Sequence, residues 1–508
     1  MPPCNIMKKI LFPFCVFCAI LLPLTATAAS KAGSVTQRGL TWTFDKEHEV
    51  GQFVNGDWWV VGPVNIIEIS NDIQDKAFLP TDGAAVNGSM ISPKPPAPEE
   101  ARHFTKLLTH GYDARADHYD PALNAAMPKG KPVAKNNPLK LGAGQSLVSG
   151  VSWLWRSKDD REPDCKAFTG EFAWPILRTA MVLTCLEKPA PEGSFRPSYS
   201  GGKKEALRNV KDLRFDRLLN LDLAGPAPDI ANLTRHTERA WLDHVTSWWG
   251  WGVFNPSENL PNYGREKAWV LQQAMLALHL DWKQLDGQPT KQTLAINLAQ
   301  IGIDLAGVAD AGGFWGEDGG HGQGRKPAIL FAALLLDDAH MKTVGDWKTA
   351  FQDNNQTFYV SKEDIARGAA KGWYEHPRLD KRGSNIMPYK KEMLGMPEWG
   401  IRHASVPEAD NAGWNTPYRD INAAAIPGFA LIFMMMEDGR KLFNHEAYFD
   451  YADRLKSSGE PLFNPWHNRP SHFVQAMWAA YRGNYPSTYD KKWDAPEITE
   501  YITTPKAE

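Results

Sequence analysis

The stretch LAINLAQIGIDLAGV, residues 294–308, followed by GGFWGEDGGHGQGRK, residues 312–326, decides how the chain is read. Leu294, Leu298, Ile301, Leu305 and Val308 recur at the spacing of one helix face. Residues 327–336 are apolar on nearly every side, which marks a helix surrounded by others, and Pro327 suits a first helical turn. Between the two predicted helices lie seven glycines in fifteen residues. Such a loop lets the backbone take positive φ and approach a partner closely.

Working outward, the same helical spacing is seen at Trp241, Val245 and Trp248, and at Ala268, Leu271, Met275 and Leu278. Further helices are predicted over 421–437, 445–456 and 470–482, joined by long loops at 250–263, 310–325 and 372–418. Long loops inside a compact domain are usually functional. Apolar-faced helices joined by such loops predict an (α/α) helical toroid over residues 236–508, with a cleft at one end.

Upstream the period is two. Residues 39–44 alternate, residues 52–61 read as a hairpin on Asn55-Gly56, and 64–69, 146–155 and 179–186 are strand-like. Residues 30–235 are therefore predicted as a β-rich, sandwich-like domain, and the chain as α+β.

Residues 1–29 read separately. Lys8 and Lys9 precede an apolar run from residue 10 to 24, followed by Thr25-Ala26-Thr27-Ala28-Ala29, the pattern of a cleaved secretory signal. The run is too short for a comfortable transmembrane span. The expected location is periplasmic or secreted, with no membrane association after cleavage.

The 508 residues are 43% hydrophobic and 23% charged, an ordinary globular composition. Removing the signal takes two lysines and no acid, leaving 54 basic against 59 acidic residues, a balance of −5. Nothing in this attracts nucleic acid as a whole, although a local Arg/Lys cluster can still hold an acidic polymer. The 20 Trp, 22 Phe and 14 Tyr supply many flat faces of the kind that fill cores and stack on sugars. Of five cysteines only Cys165 and Cys185 follow the signal; an oxidising compartment permits a bridge between them, the alternative being two buried thiols.

Three clusters carry the chemistry. The glycine-rich loop holds Glu317, Asp318, His321 and Arg325. Its resemblance to a phosphate loop fails, because Arg325-Lys326 stands where Lys-Ser/Thr is needed and no strand precedes it. His321, titrating near neutrality, is the leading general acid or base. Asn262, Tyr263 and Arg265 stand at a predicted helix start. Asn262 serves there either as a cap or, with Arg265, as a carboxylate holder, while Tyr263 moves a proton. The third cluster comprises Glu398, Trp399, Arg402, His403, Trp414, Tyr418 and Arg419. Its arginines suit a carboxylate and its tryptophans a sugar face. His445 and His467 are weaker candidates. No cofactor is expected, and a divalent metal on His321 with neighbouring carboxylates stays open.

An exported chain with a β-rich part and a helical toroid resembles the polysaccharide lyases of the alginate-lyase and heparinase type. The resemblance implies β-elimination on a uronic-acid-containing polysaccharide, an acidic polymer or oligomer as substrate. It also implies an Asn or Arg neutralising the uronate carboxylate, and His and Tyr as base and acid. Asn262, Arg265, His321 and Tyr263 are the residues here of those types, with Arg325, Glu317 and the third cluster binding substrate. Two other readings stay open. One is a toroid glycoside hydrolase pairing Glu317 or Asp318 with Glu398 or Asp410. The other is a non-catalytic glycan-binding protein.

Overall fold

The alternation at residues 40–44 is realised as part of a long strand. Leu40, Trp42 and Phe44 are buried while Thr41 and Thr43 are partly exposed. The computed structural model describes residues 29–71, 86–95, 133–152, 177–202, 204–205, 207–244, 264–285, 290–316, 320–370, 378–379, 385–386, 389–400, 422–457 and 471–495. Within them the chain is α+β, with a strand-rich N-terminal region followed by a largely helical C-terminal part.

Eight strands form one sheet: β1 (Ser30–Gln37), β2 (Leu40–Gln52), β3 (Trp58–Val61), β4 (Val64–Asn71), β5 (Val86–Ile91), β6 (Leu139–Leu141), β7 (Gln145–Ser152) and β8 (Leu177–Leu186). The order is β5-β7-β8-β3-β2-β4-β6, with β1 on β2. The Asn55-Gly56 hairpin is present and joins β2 to β3. All pairings within this sheet are antiparallel except β3 with β8. A sandwich implies two facing sheets, whereas the described strands form a single curled one. Trp42 Nε1 on β2 donates to Ser149 Oγ on β7 at 3.0 Å, across two intervening strands. Leu139 and Leu141 of β6 share a core with Leu147 of β7 and Met181 and Leu183 of β8.

The other face of β7 and β8 belongs to the helical part. Val148, Ala180 and Val182 point there, one residue out of phase with Leu147, Met181 and Leu183. At this junction Arg196 is wholly buried, with Nε 2.5 Å from Asp57 Oδ2 and Nη2 2.6 Å from Asp304 Oδ2. Gln300 closes the joint, accepting from Arg196 N at 3.1 Å and donating to Arg196 O at 3.0 Å. A buried guanidinium needs this degree of pairing, because desolvating it alone is costly.

The helices of eight or more residues are α1 (Ile230–Thr237), α2 (Gly264–Leu278), α3 (Lys291–Asp310), α4 (Arg325–Leu336), α5 (Lys362–Ala370), α6 (Ile426–Met435), α7 (Glu446–Ser457) and α8 (His472–Tyr481). α3 carries the face read at residues 294–308, and nearly every other residue in that span is buried too. All twelve residues of α4 are buried, as the apolar run requires. The helix expected from Trp241 onward is not formed over residues 241–244, the part of it among the described residues. α1 begins earlier, capped by Asp229 accepting from Asn232 N, and ends at Thr237. Residues 239–244 then run irregularly. This lets Trp241 Nε1 donate to His236 O at 3.2 Å and Asp243 N donate to Tyr199 Oη at 3.0 Å. Val245 and Trp248 lie outside the described residues.

Cys165, the other half of the bridge considered above, lies outside the described residues, and Cys185 is a buried free thiol. Its Sγ–H points at Leu141 O at 3.6 Å, and burial pushes the thiol up to about 12. Among the described residues no helix is long and apolar enough to cross a membrane.

Candidate functional site

The glycine-rich loop turns from the end of α3 into α4 and is held mainly through its backbone. Trp315 N donates to Ala350 O at 2.7 Å, and the indole stacks on Phe351 with ring centres 5.7 Å apart. A short helical turn, Gln352–Asn355, then meets the loop residue by residue. Gln352 Oε1 accepts from Gly322 N at 2.6 Å, and Asp353 Oδ1 accepts from Gly324 N at 2.9 Å. Gln356 Oε1 accepts from Gln352 Nε2 at 2.7 Å and from Gln323 Nε2 at 3.4 Å. Gly324 itself has φ 83°, the left-handed region, where a side chain would be strained.

His321 sits inside this arrangement with 5% of its surface exposed, so it is enclosed rather than displayed. The preceding residue, Gly320, packs against α2. A Cβ there would lie 2.9 Å from Arg265 Cβ and 2.3 Å from Asn422 Oδ1. Gly320, the residue before His321, is thus the point at which the loop packs on Arg265. Arg265 lies over the Trp269 ring at 5.3 Å and 3.8 Å from Glu266 Oε1. Its helix starts at Gly264, directly after Asn262 and Tyr263, which lie outside the described residues.

Arg325 has a different place from the one expected. It was read as a substrate-carboxylate ligand. Its guanidinium is 0% exposed and donates through Nε to Asp243 Oδ2 at 2.7 Å. A second donor, Nη1, reaches Gln323 O at 2.7 Å. Lys267 Nζ shares the same carboxylate, 2.6 Å from Asp243 Oδ1. Burial disfavours the ionised Asp243, but Arg325 and Lys267 outweigh it and hold the carboxyl below its ordinary value. Lys267 is pushed well below its ordinary value, by burial first and by Arg325 next. Arg325 and Lys267 thus converge on one buried carboxylate, the pairing that a charge needs in a dry interior.

The third cluster is represented by strand β10 (Pro397–Trp399), paired antiparallel with β9 (Thr357–Tyr359). Glu398 was read as a substrate ligand or hydrolase carboxylate. It is fully buried, 3.4 Å from Arg454 Nη1, and Oε1 accepts from Trp399 N at 2.8 Å. Trp399, read as a stacking platform, is likewise buried in the helical core. Both side chains point into the protein because β10 lies between β9 and α7 rather than in a surface loop. The strand adjoins the turn that grips the glycine-rich loop, since Gly400 N donates to Gln356 O at 2.9 Å. Glu317, Asp318, Arg402, His403, Asp410, Trp414, Tyr418, Arg419 and His467 lie outside the described residues. His445 is a half-buried helix-entry residue: its ring Nε2 is 2.9 Å from Thr357 Oγ1, and burial lowers it to about 4.

Asp243, Lys267, Gln352, Asp353, Gln356 and Asn422 were not singled out from sequence. The usable signal was a charge inside an apolar context, as with Lys267 at the head of an apolar helix face. The glutamines gave none, because their role is set by a loop thirty residues away. Among the described residues no group of three or more His, Cys, Asp and Glu side chains is placed to hold a metal. No protein-family model, curated protein or solved structure matches the chain.

Proposed function

We propose that this protein is an exported polysaccharide lyase that cleaves a uronic-acid-containing polysaccharide by β-elimination. The observation that carries the reading is the close packing of Gly320, the residue before His321, on Arg265. β-Elimination at a uronate needs a cation or amide at the carboxylate, to acidify the C5 proton. It also needs a base for that proton and an acid for the departing 4-oxygen. Arg265 supplies the cation and His321 the proton-transfer group. Tyr263, one residue before α2, supplies the hydroxyl, and Asn262 adds an amide donor. Arg325 and Lys267 serve beneath them, fixing α4 and α2 to Asp243.

The helical part is read as the (α/α) toroid that such a cleft needs, on the support of mutually packed, largely buried helices with the candidate loop at the end of α3. Lys8 and Lys9 before the apolar run, with the small residues after it, support export. The burial of Glu398 against Arg454 removes one carboxylate from the hydrolase pairing. A panel of acidic and neutral glycans tests the proposal. Ultraviolet absorbance of an unsaturated uronate, appearing only with uronate polymers, is expected. New reducing ends without that absorbance would replace the lyase with a hydrolase, and binding with neither signal would replace it with a glycan-binding protein.

A further inference from the structure

We propose that the Gln352–Gln356 turn is a splint that sets the position of His321, with Asp353 and Gln352 as its positioning residues. The inference rests on the lyase reading only for the reaction that His321 serves. Three side chains of this turn grip three successive loop residues. Gln352 takes Gly322 N–H, Gln356 takes the Gln323 amide, and Asp353 takes Gly324 N–H, at 2.6, 3.4 and 2.9 Å. A loop with this much glycine has little conformational preference of its own, so its geometry must come from outside. The turn is itself fixed. Its own chain stacks Phe351 on Trp315, and Lys326 Nζ, 2.8 Å from Asn354 Oδ1, ties it to α4.

Asp353 gives the splint a pH signature. Its Oδ1 faces the start of α4, while Oδ2 is buried with no hydrogen-bond partner among the described residues. The charged and titratable groups around it are Lys326 and Arg325 of α4 and Tyr448 of α7, with His445 and Asp346 beyond, around Lys326. Burial raises the Asp353 carboxyl to about 6, against the weaker pull of Gly324 N–H and Lys326. Opening the loop returns the group to water and its ordinary value. The closed loop therefore binds the proton more tightly and is held more firmly below about pH 6 than above it.

The test uses the full chain without substrate and reads two signals: exchange of the Gly322 and Gly324 amides, corrected for intrinsic rate, and the His321 ring proton resonance. Gln352→Ala should speed Gly322 exchange by about tenfold, the worth of one neutral hydrogen bond, and shift the His321 resonance while amides in α3 stay protected. In the unsubstituted protein, protection of Gly324 should fall as pH rises from about 4 to about 6. Asp353→Asn keeps an acceptor and should abolish that dependence. An unmoved His321 resonance in Gln352→Ala overturns the proposal, as does a pH dependence that persists in Asp353→Asn. Neither readout uses a glycan, so a chain that cleaves no uronate polymer sinks the lyase reading and leaves this one standing. If cleavage is found, Gln352→Ala should lower kcat with little change in KM.

Discussion

Arg325 and Asp243, 82 residues apart in the chain, are joined by two hydrogen bonds, Nε to Oδ2 at 2.7 Å and Nη2 to Oδ1 at 3.3 Å. This contact changes the meaning of the basic end of the glycine-rich loop. A guanidinium in a loop reads as a ligand for something outside. Sealed against a carboxylate, it holds the first turn of α4 to the segment before α2. The proposed chemistry falls instead to His321 and Arg265, on either side of Gly320.

The first prediction follows from that geometry. Asp243→Asn removes the only carboxylate facing Arg325 among the hydrogen-bond partners described and should cost about 3–5 kcal/mol, the usual loss when one half of a buried ion pair is removed. Lys267→Met should cost less, about 1–2 kcal/mol, because burial already disfavours its charge and mainly one hydrogen bond is lost. Urea unfolding of the two variants checks the ranking. Equal losses would mean that Lys267 is charged in the fold.

A second prediction concerns Glu398. If its carboxylate serves Arg454 alone, Glu398→Gln should lower stability by about 3–5 kcal/mol and leave turnover of the folded fraction within a few-fold of the parent. A stable Glu398→Gln protein whose turnover falls a thousandfold would return Glu398 to the reacting centre and revive the hydrolase pairing.

The pH dependence of stability is the third. Asp353 titrates at about 6 in the fold and at 3.8 when unfolded. The folded chain therefore binds the extra proton between these values. Its contribution is fully present below about pH 4 and is lost as pH rises through about 6. The size is on the order of 2–3 kcal/mol for a shift of about two units. Unfolding free energies at pH 4.5, 5.5 and 7, compared with Asp353→Asn, isolate the term from the other carboxyls. A difference that does not vary with pH would contradict it.

How much of this was legible in the sequence depends on range. The faces of α3 and α4 and the Asn55-Gly56 hairpin follow from neighbours in the chain, and periodicity recovers them. Trp241 misled, because apolar residues at helical spacing also occur where a chain runs irregularly through a core. There the tie to Tyr199 and the reach of Asp243 toward α4 decide the path. The single sheet was read as a sandwich because alternation reports which residues face inward and not which strands are neighbours. Arg325, Glu398 and Trp399 were recognised as unusual, but polarity and aromaticity carry no sign of direction. Their partners Asp243, Arg454 and the helical core are distant in sequence. Asp304 held a usable signal: a lone acid in an apolar helix demands a buried cation, and Arg196 is that cation.

The last prediction bears on mechanism. If His321 transfers a proton at the reacting centre, His321→Ala should lower turnover by about 10²–10⁴-fold, the range for general acid–base groups. Its enclosure means that some stability is lost as well, so circular dichroism and an unfolding curve must accompany the rates. On the same proposal, Arg265→Ala should depress turnover on a uronate polymer and raise KM, since it would remove the cation proposed to acidify the C5 proton. Both effects should shrink on a substrate whose carboxyl is esterified. Tyr263→Phe, which keeps the ring and removes the hydroxyl, should fall in the same range as His321→Ala. The pattern matters more than any single loss. Should a folded His321→Ala protein keep more than about half of its activity while Arg265→Ala loses it, the arginine would bind substrate for chemistry done elsewhere. The search would then move to Glu317 and Asp318, and from elimination to hydrolysis.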